Sequence, residues 1–241
     1  MENYQAVFKR KEVKYLLTES QLSSLMPIFY AHMVPDNFAH SSILNLYYDT
    51  PDFLLVRRSL EKPLYKEKLR LRSYGRPTLN SQVFPEIKKK VKGIVYKRRE
   101  SMPYGDAIKY LAKDIKGPDT QIFHELDWLL TSYENLEPKV FLSYERDSLK
   151  GVEDKELRIT LDREILWRTD SLDLRKGAYG EPLLKPGEVL MEIKLFNSAP
   201  LWLASALSEN GVFPISFSKY GRAFSSFNKD LNNEMEIKQY V

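Results

Sequence analysis

Apolar and polar residues alternate at period two along much of this chain, and the polar positions are mostly cationic. Residues 7–17 (VFKRKEVKYLL) predict a first strand with Arg10, Glu12 and Lys14 on one face and Val7 and Val13 on the other. The run from Lys66 to Tyr74 puts Lys66, Lys68, Arg70 and Arg72 opposite Glu67, Leu69 and Leu71. Within Gln82–Lys92 the row is Glu86, Lys88 and Lys90, and within Ile94–Glu100 it is Lys97 and Arg99, with Gly93 as the turn between them. Strands at Glu156–Arg163 and Glu188–Phe196 carry Arg158, Thr160 and Asp162, then Glu192 and Lys194. Ile43–Asp49, ended by Thr50-Pro51-Asp52, and Lys139–Arg146 complete the predicted strands.

A different period appears between them. Leu22, Leu25, Met26 and Phe29 predict a helix from Gln21 to His32, capped by Thr18 or Ser20. Further helices are predicted at Phe53–Leu60, Tyr104–Lys113, Gln121–Glu134 and Leu201–Asn210. A mixed segment, Phe213–Leu231, precedes a tail at 232–241. No repeat or linker divides the chain, so residues 1–231 read as one α+β domain with a large antiparallel sheet.

Composition narrows the chemistry. With 241 residues, 43% of them apolar, the chain can build a sizeable core. There is no cysteine, which excludes disulfides and thiolate metal sites, and three histidines make a histidine-rich metal centre a poor expectation. Met1-Glu2-Asn3-Tyr4 lacks the pattern of a signal peptide, and no apolar run approaches the roughly 18 residues that span a bilayer. These features predict a cytoplasmic protein, with any membrane association supplied by a separate membrane protein. A net charge of +4 says little about partners, because the cations are segregated by strand face.

One solvated strand face with a few lysines is ordinary. A set of such faces, heavily cationic with isolated carboxylates, points instead to a barrel with an apolar exterior covered by helices and a charged lumen. There Arg offers forks to phosphate oxygens and Lys a point charge. The isolated carboxylates suit a divalent cation bridging phosphates, with Glu192 the strongest candidate; Glu12, Glu86 and Asp162 are weaker, because each sits beside basic neighbours. Lys89, on the opposite face from Lys88 and Lys90, falls outside the site, and Trp128, Trp167, Trp202 and His124 read as packing or helix-surface residues.

The runs Arg10-Lys11-Glu12-Val13-Lys14-Tyr15, Tyr47-Tyr48-Asp49-Thr50-Pro51-Asp52 and Lys68-Leu69-Arg70-Leu71-Arg72-Ser73-Tyr74-Gly75 resemble the catalytic domain of the vacuolar transporter chaperone (VTC) family. Glu86-Ile87-Lys88, Tyr144-Glu145-Arg146, Leu157 to Asp162, Met191-Glu192-Ile193-Lys194 and Phe217-Ser218-Lys219-Tyr220 continue the resemblance in order. That family belongs to the triphosphate tunnel metalloenzymes. The resemblance implies an antiparallel eight-stranded β-tunnel, a closed barrel with helices outside. It also implies a polyphosphate polymerase that transfers the γ-phosphate of ATP to a growing chain, assisted by Mn²⁺ or Mg²⁺.

Carried onto this sequence, the resemblance makes Lys14, Arg70, Arg72, Lys88, Glu192 and Lys219 catalytic. Arg10, Lys68, Lys97, Arg99, Arg146, Arg158, Lys194 and Ser218 would bind phosphate, and Glu192 and Glu12 the metal. The implied partners are ATP, polyphosphate, and pyrophosphate or orthophosphate. Hydrolytic members of the superfamily carry Glu-x-Glu-x-Lys on the first strand, and Arg10 replaces the first Glu here, which favours the polymerase. The alternatives are a tripolyphosphate or nucleoside triphosphate hydrolase of the same fold, and a non-catalytic polyphosphate or nucleotide sensor. A nucleic-acid-binding module is disfavoured, because the charged rows carry few aromatics.

Overall fold

The computed structural model of the protein describes residues 11–61, 63–92, 94–196 and 198–239, with side chains as far as Lys229. Arg10 and Gly93, both singled out from the sequence, lie outside the described residues. The elements in chain order are β1 (Lys11–Thr18), α1 (Glu19–His32), β2 (Met33–Asp49), α2 (Leu54–Leu60), β3 (Tyr65–Tyr74), β4 (Gln82–Val91) and β5 (Ile94–Arg99). There follow β6 (Met102–Pro103), α3 (Tyr104–Leu111), α4 (Gln121–Ser132), β7 (Glu137–Gly151), β8 (Arg158–Arg168), β9 (Glu181–Pro182), β10 (Glu188–Leu195), α5 (Leu201–Glu209) and α6 (Lys219–Gln239). The fold is α+β, and β1–β10, β10–β8, β2–β3, β3–β4 and β4–β5 pair antiparallel.

The chain forms two compact units. The first takes residues up to Ser41, Glu145–Glu164 and Leu184–Phe217. In it β10 lies between β1 and β8, with Lys14 opposite Glu192 and Glu192 opposite Thr160. The alternation of β1 sends Tyr15 and Leu17 into a core with Ile159, Leu161, Met191 and Ile193. Helices α1 and α5 cover that face with Leu22, Leu25, Phe29, Leu203 and Ala206. Thr18 caps α1 in a reciprocal box: its Oγ1 accepts from the Gln21 amide at 3.2 Å, and Gln21 Oε1 accepts from the Thr18 amide at 3.0 Å.

The second unit takes Ser42–Tyr144, Ile165–Leu183 and the chain from Ser218 onward. Strands β2, β3, β4 and β5 pair in sequence order, with Arg70 opposite Glu86 and Glu86 opposite Arg99. Leu69, Leu71, Val83 and Ile87 enter its core, which α3 and α4 close with Tyr110, Phe123, Leu126 and Leu129. Helix α2 starts at Phe53, which has a positive φ of 59° and offers no side-chain cap. Asp49 does the capping: its carboxylate accepts from the amides of Thr50, Leu55 and Val56 at 2.9, 2.8 and 3.0 Å. The Tyr47–Asp52 stretch is thus a strand end that carries its own helix cap.

Helices on the apolar face and charge on the other were expected, and both units have them. Closure was also expected, but among the described residues no pairing joins β1 to β5; apart from β10, β1 makes a single bridge, Lys14 to Ile215. Three strands are longer than the pattern predicts. β2 begins at Met33 and not near Ile43, because its first residues are mostly exposed on both faces and carry no alternation. β7 and β8 likewise run past Arg146 and Arg163. α6 takes in most of the mixed segment's end and continues to Gln239.

Candidate functional site

In the second unit two arginines of β3 and two cations of β5 converge on one carboxylate of β4. Glu86 is buried, and its Oε2 accepts from Arg70 Nε at 2.7 Å and lies 2.6 Å from Arg70 Nη2. Its Oε1 is 2.9 Å from Lys97 Nζ and 3.8 Å from Arg99 Nη1, while Arg72 Nε lies 3.8 Å from Oε2. One carboxylate therefore faces four cations, and the patch keeps a surplus of positive charge. Burial would raise the Glu86 carboxyl, but Arg70, Arg72 and Lys97 beside it hold it down at about 2. Burial pushes Lys97 the other way, down to about 8, against the pull of Glu86.

Tyrosine hydroxyls brace the guanidinium groups. Arg70 Nη1 donates to Tyr47 Oη, Arg72 Nη2 to Tyr144 Oη and Arg99 Nη1 to Tyr74 Oη, each at 3.2 Å. Arg72 Nε also donates to Asn45 Oδ1 at 3.0 Å, and Asn45 is itself tied to the Leu142 carbonyl. These contacts fix the forks before any ligand arrives, so little rotamer entropy remains to be lost on binding.

The start of α6 supplies a second cluster. Ser218 Oγ accepts from the Gly221 amide at 3.1 Å, the geometry of an N-cap, and from Lys68 Nζ at 2.9 Å. Lys219 is buried, with its Nζ 4.5 Å from the centre of the Tyr144 ring. Tyr220 Oη donates to Asp49 Oδ2 at 2.8 Å, and its ring stacks on Tyr47 at 4.5 Å. Gly221 lets the helix approach α2: a Cβ there would meet Leu60 Cδ2 at 2.9 Å. Lys88 stands opposite Lys68 on one side and Lys97 on the other.

In the first unit the centre is Lys14. Its Nζ lies 3.3 Å from Glu192 Oε1 and 3.5 Å from Glu12 Oε1. Arg146 grips Asp162 through two parallel bonds of 2.6 and 2.7 Å, and its Nη2 lies 3.8 Å from Glu192 Oε2. Asp162 is thus the partner of Arg146, and Glu192 is shared between two cations. Thr160 Oγ1, opposite Glu192 in register, is buried with no hydrogen-bond partner. Lys194 stands opposite Glu12 and Arg158. Arg158 lies apart from this cluster: it is largely exposed and its Nη1 reaches Asp36 Oδ2 at 3.3 Å.

Among the described residues no group of three His, Asp or Glu side chains forms a protein-only metal cage. The donor set fits a different binding mode. Glu12 Oε1 and Glu192 Oε1 both lie against the Lys14 ammonium, and the buried Thr160 hydroxyl stands opposite Glu192 in register, so a cation held here would meet two carboxylates beside Lys14. Two carboxylates with substrate phosphates completing the shell is the usual way a hard cation is held at phosphate.

The structure thus brings Arg70, Arg72, Lys97 and Arg99 together, then Lys68 with Ser218, and Lys14 with Glu12, Glu192 and Arg146. Tyr47, Tyr74, Tyr144, Asn45 and Asp49 were missed as supports. Tyr47 and Asn45 share one face of the Ile43–Asp49 strand, a polar-aromatic alternation that could have marked them.

A cation-rich strand face with fixed forks defines a protein built to hold a polyanion. The chain matches the model of the VTC domain over residues 9–228 and belongs to that family. No curated protein sequence matches it. Among solved structures it is similar to HpAC1 from Hippeastrum, described as a proposed adenylyl cyclase with a dominant triphosphatase activity. The two share 17% identity at a TM-score of 0.55, over 89% of this chain and 95% of that one. A proposed adenylate cyclase from Bacillus halodurans is similar at 14% identity and a TM-score of 0.55, over 87% of this chain and 95% of the other. At such identities the likeness is one of fold.

Proposed function

We propose that this protein is a polyphosphate polymerase, a single functional domain over residues 1–231 whose cationic strand faces hold the phosphates. The observation that carries this is the Glu86 cluster, four cations held around one carboxylate by tyrosine and asparagine partners. Such an array suits consecutive phosphates, whose oxygens replace the Glu86 contacts of some of the cations.

In the reaction a terminal oxygen of orthophosphate, pyrophosphate or polyphosphate attacks the γ-phosphorus of ATP. A new P–O bond forms as the bond to the β-phosphate oxygen breaks, and ADP leaves with that electron pair. No side chain is needed as nucleophile, since phosphoryl transfer asks chiefly for positioning and charge neutralisation. Arg70, Arg72, Lys97, Arg99 and Lys88 hold phosphates in line. Lys68, Ser218 and Lys219 receive phosphate oxygens at the start of α6, where the helix terminus favours negative charge. Lys14 and Arg146 neutralise the transferring group, and Lys194, opposite Glu12 in register, extends the phosphate path, whereas Arg158, turned to Asp36, takes no part in it. Glu192 and Glu12 would hold Mn²⁺ or Mg²⁺, which when bound supplies charge neutralisation on the donor phosphates.

A second reading is hydrolysis of tripolyphosphate or nucleoside triphosphates. It is favoured by Glu12, which stays beside Glu192 on Lys14 and keeps two carboxylates together. Incubation with ATP and Mn²⁺, with products resolved by gel and phosphorus NMR, separates the two. Long-chain phosphate with ADP is the expected outcome; orthophosphate with ADP and no polymer would replace the polymerase with the hydrolase.

A further inference from the structure

The hairpin of β4 and β5 carries a surface that the phosphate site does not use. No residue from Lys88 to Arg99 is acidic, and beyond Lys88, Lys97 and Arg99 of the phosphate site this stretch carries Lys89, Lys90, Lys92 and Arg98. The strand face opposite the phosphate site begins as core, with Leu69 and Ile87 fully buried. Towards the hairpin tip the same face outruns its helical cover. Tyr65, opposite Val91, is 43% exposed, and Ile94 and Tyr96 are 38% and 42% exposed. Leu64, whose carbonyl accepts from the Lys92 amide, is 74% exposed. Trp128 of α4 extends the patch, 56% exposed and linked to it by Lys89, whose Nζ lies 5.4 Å from the indole centre.

Exposed apolar side chains grouped at one end of an element mark an interaction surface. The composition around these indicates which kind. Lys90 and Lys92 are both exposed; Lys90 stands on the face of Lys88 and flanks the apolar residues of the tip from the other side of the hairpin. Interfaces between proteins are depleted in lysine. Lysine mixed with tyrosine and tryptophan is instead the pattern of the water–lipid boundary, where the amphipathic rings sit at headgroup level and the ammonium groups meet anionic lipid. Two carboxylates lie by the patch, and both are engaged: Glu125 is shared by Lys89 and Arg98 at 3.5 and 3.4 Å, and the buried Glu67 accepts from Tyr65 and Tyr133.

We propose that the β4–β5 hairpin tip, with Trp128 beside it, docks this protein reversibly on an anionic lipid surface. Tyr65, Ile94, Tyr96 and Trp128 enter the headgroup layer while Lys90 and Lys92 pair with lipid phosphates. This attachment needs no membrane-spanning helix, and among the described residues no helix is long and apolar enough to be one.

The test is sedimentation of the full chain with vesicles of phosphatidylcholine alone, or with a third of that lipid replaced by phosphatidylglycerol. Binding to the anionic vesicles that weakens with added salt is expected. Lys90→Gln with Lys92→Gln should lower the partition coefficient about 30-fold, near one kcal/mol for each lysine. Ile94→Ser with Tyr96→Ser should lower it by about tenfold or more. All four positions are exposed, so the variants should melt with the wild type. Equal partitioning to both vesicle types, or binding unchanged in both double variants, would overturn the proposal. So would concentration-dependent self-association that Ile94→Ser abolishes, which would make the patch an interface between copies of this chain.

Discussion

At the scale of single residues, Glu86 and Lys97 make opposite statements about pH. Glu86 is held near 2 in the folded protein, below its ordinary 4.5. Its stabilising contribution is therefore complete above pH 4.5 and disappears as pH falls from there towards 2. Glu86→Gln should flatten the acid side of the stability curve in that window. It should also cost about 3–5 kcal/mol at neutral pH, because it leaves buried guanidinium groups uncompensated. Tripolyphosphate should recover more melting temperature in that variant than in the wild type; equal shifts would mean the ligand does not take the place of Glu86. Lys97, lowered to about 8 from 10.5, runs the other way. Its charged form costs stability below pH 8, and that cost is relieved as pH rises from 8 towards 10.5. Tripolyphosphate, which favours the charged amine, should bind more weakly as pH rises through about 8 and should take up a proton on binding there. Calorimetric titration in buffers of different ionisation enthalpy measures that uptake directly, and Lys97→Met should remove it.

At the scale of elements, the start of α6 is a joint that ties Lys68 to the strand end at Asp49, and under the proposed function it is where phosphate binding should be most sensitive. Ser218 caps the helix and accepts from Lys68, while Tyr220 ties the same turn to Asp49, which in turn caps α2. Ser218→Ala should cost about 1 kcal/mol in stability through the lost cap and weaken tripolyphosphate binding as well. Unchanged affinity in that variant would remove Ser218 from the site. Much of this joint was hidden in the sequence. Phe217-Ser218-Lys219-Tyr220 marked the place through family resemblance, but the helix beyond it is polar through its later turns and gave no stripe to read. Asp49 looked like a turn residue after a strand, and nothing local shows that its carboxylate serves amides at Leu55 and Val56. The strand faces were legible for the opposite reason. Leu69 and Leu71 against Arg70 and Arg72 state both the period and the apolar side in four residues; both leucines are fully buried, and Arg72 is buried too, in its network with Asn45, Tyr144 and Glu86. The first half of β2 carries no such contrast, because its residues are mostly exposed on both sides.

At the scale of the whole molecule, a chain of modest net charge concentrates its cations on strand faces and braces them with tyrosines. Those charges repel one another in the free protein. Tripolyphosphate should therefore raise stability by about 2.7 kcal/mol at a hundred times its dissociation constant, against little shift with an equal concentration of sulfate. The tyrosine supports were not legible, since which hydroxyl meets which guanidinium depends on register between strands. Nor does alternation distinguish a carboxylate that balances cations from one suited to a metal. Glu192 stands out in sequence only as the better metal candidate, and the neighbours that separate it from Glu86 and Asp162 emerge from the fold: four cations, one bidentate arginine, and a lysine shared with Glu12. That division of labour is the central claim, with cations binding the phosphates and Glu192 serving the transfer. The direct measurement compares wild type and Glu192→Gln for ATP turnover with Mn²⁺ and for tripolyphosphate affinity without metal. The account predicts turnover lowered by about a thousandfold or more, with metal-free affinity unchanged or slightly tighter as Lys14 and Arg146 lose a competing carboxylate. Wild-type turnover in the variant would contradict it.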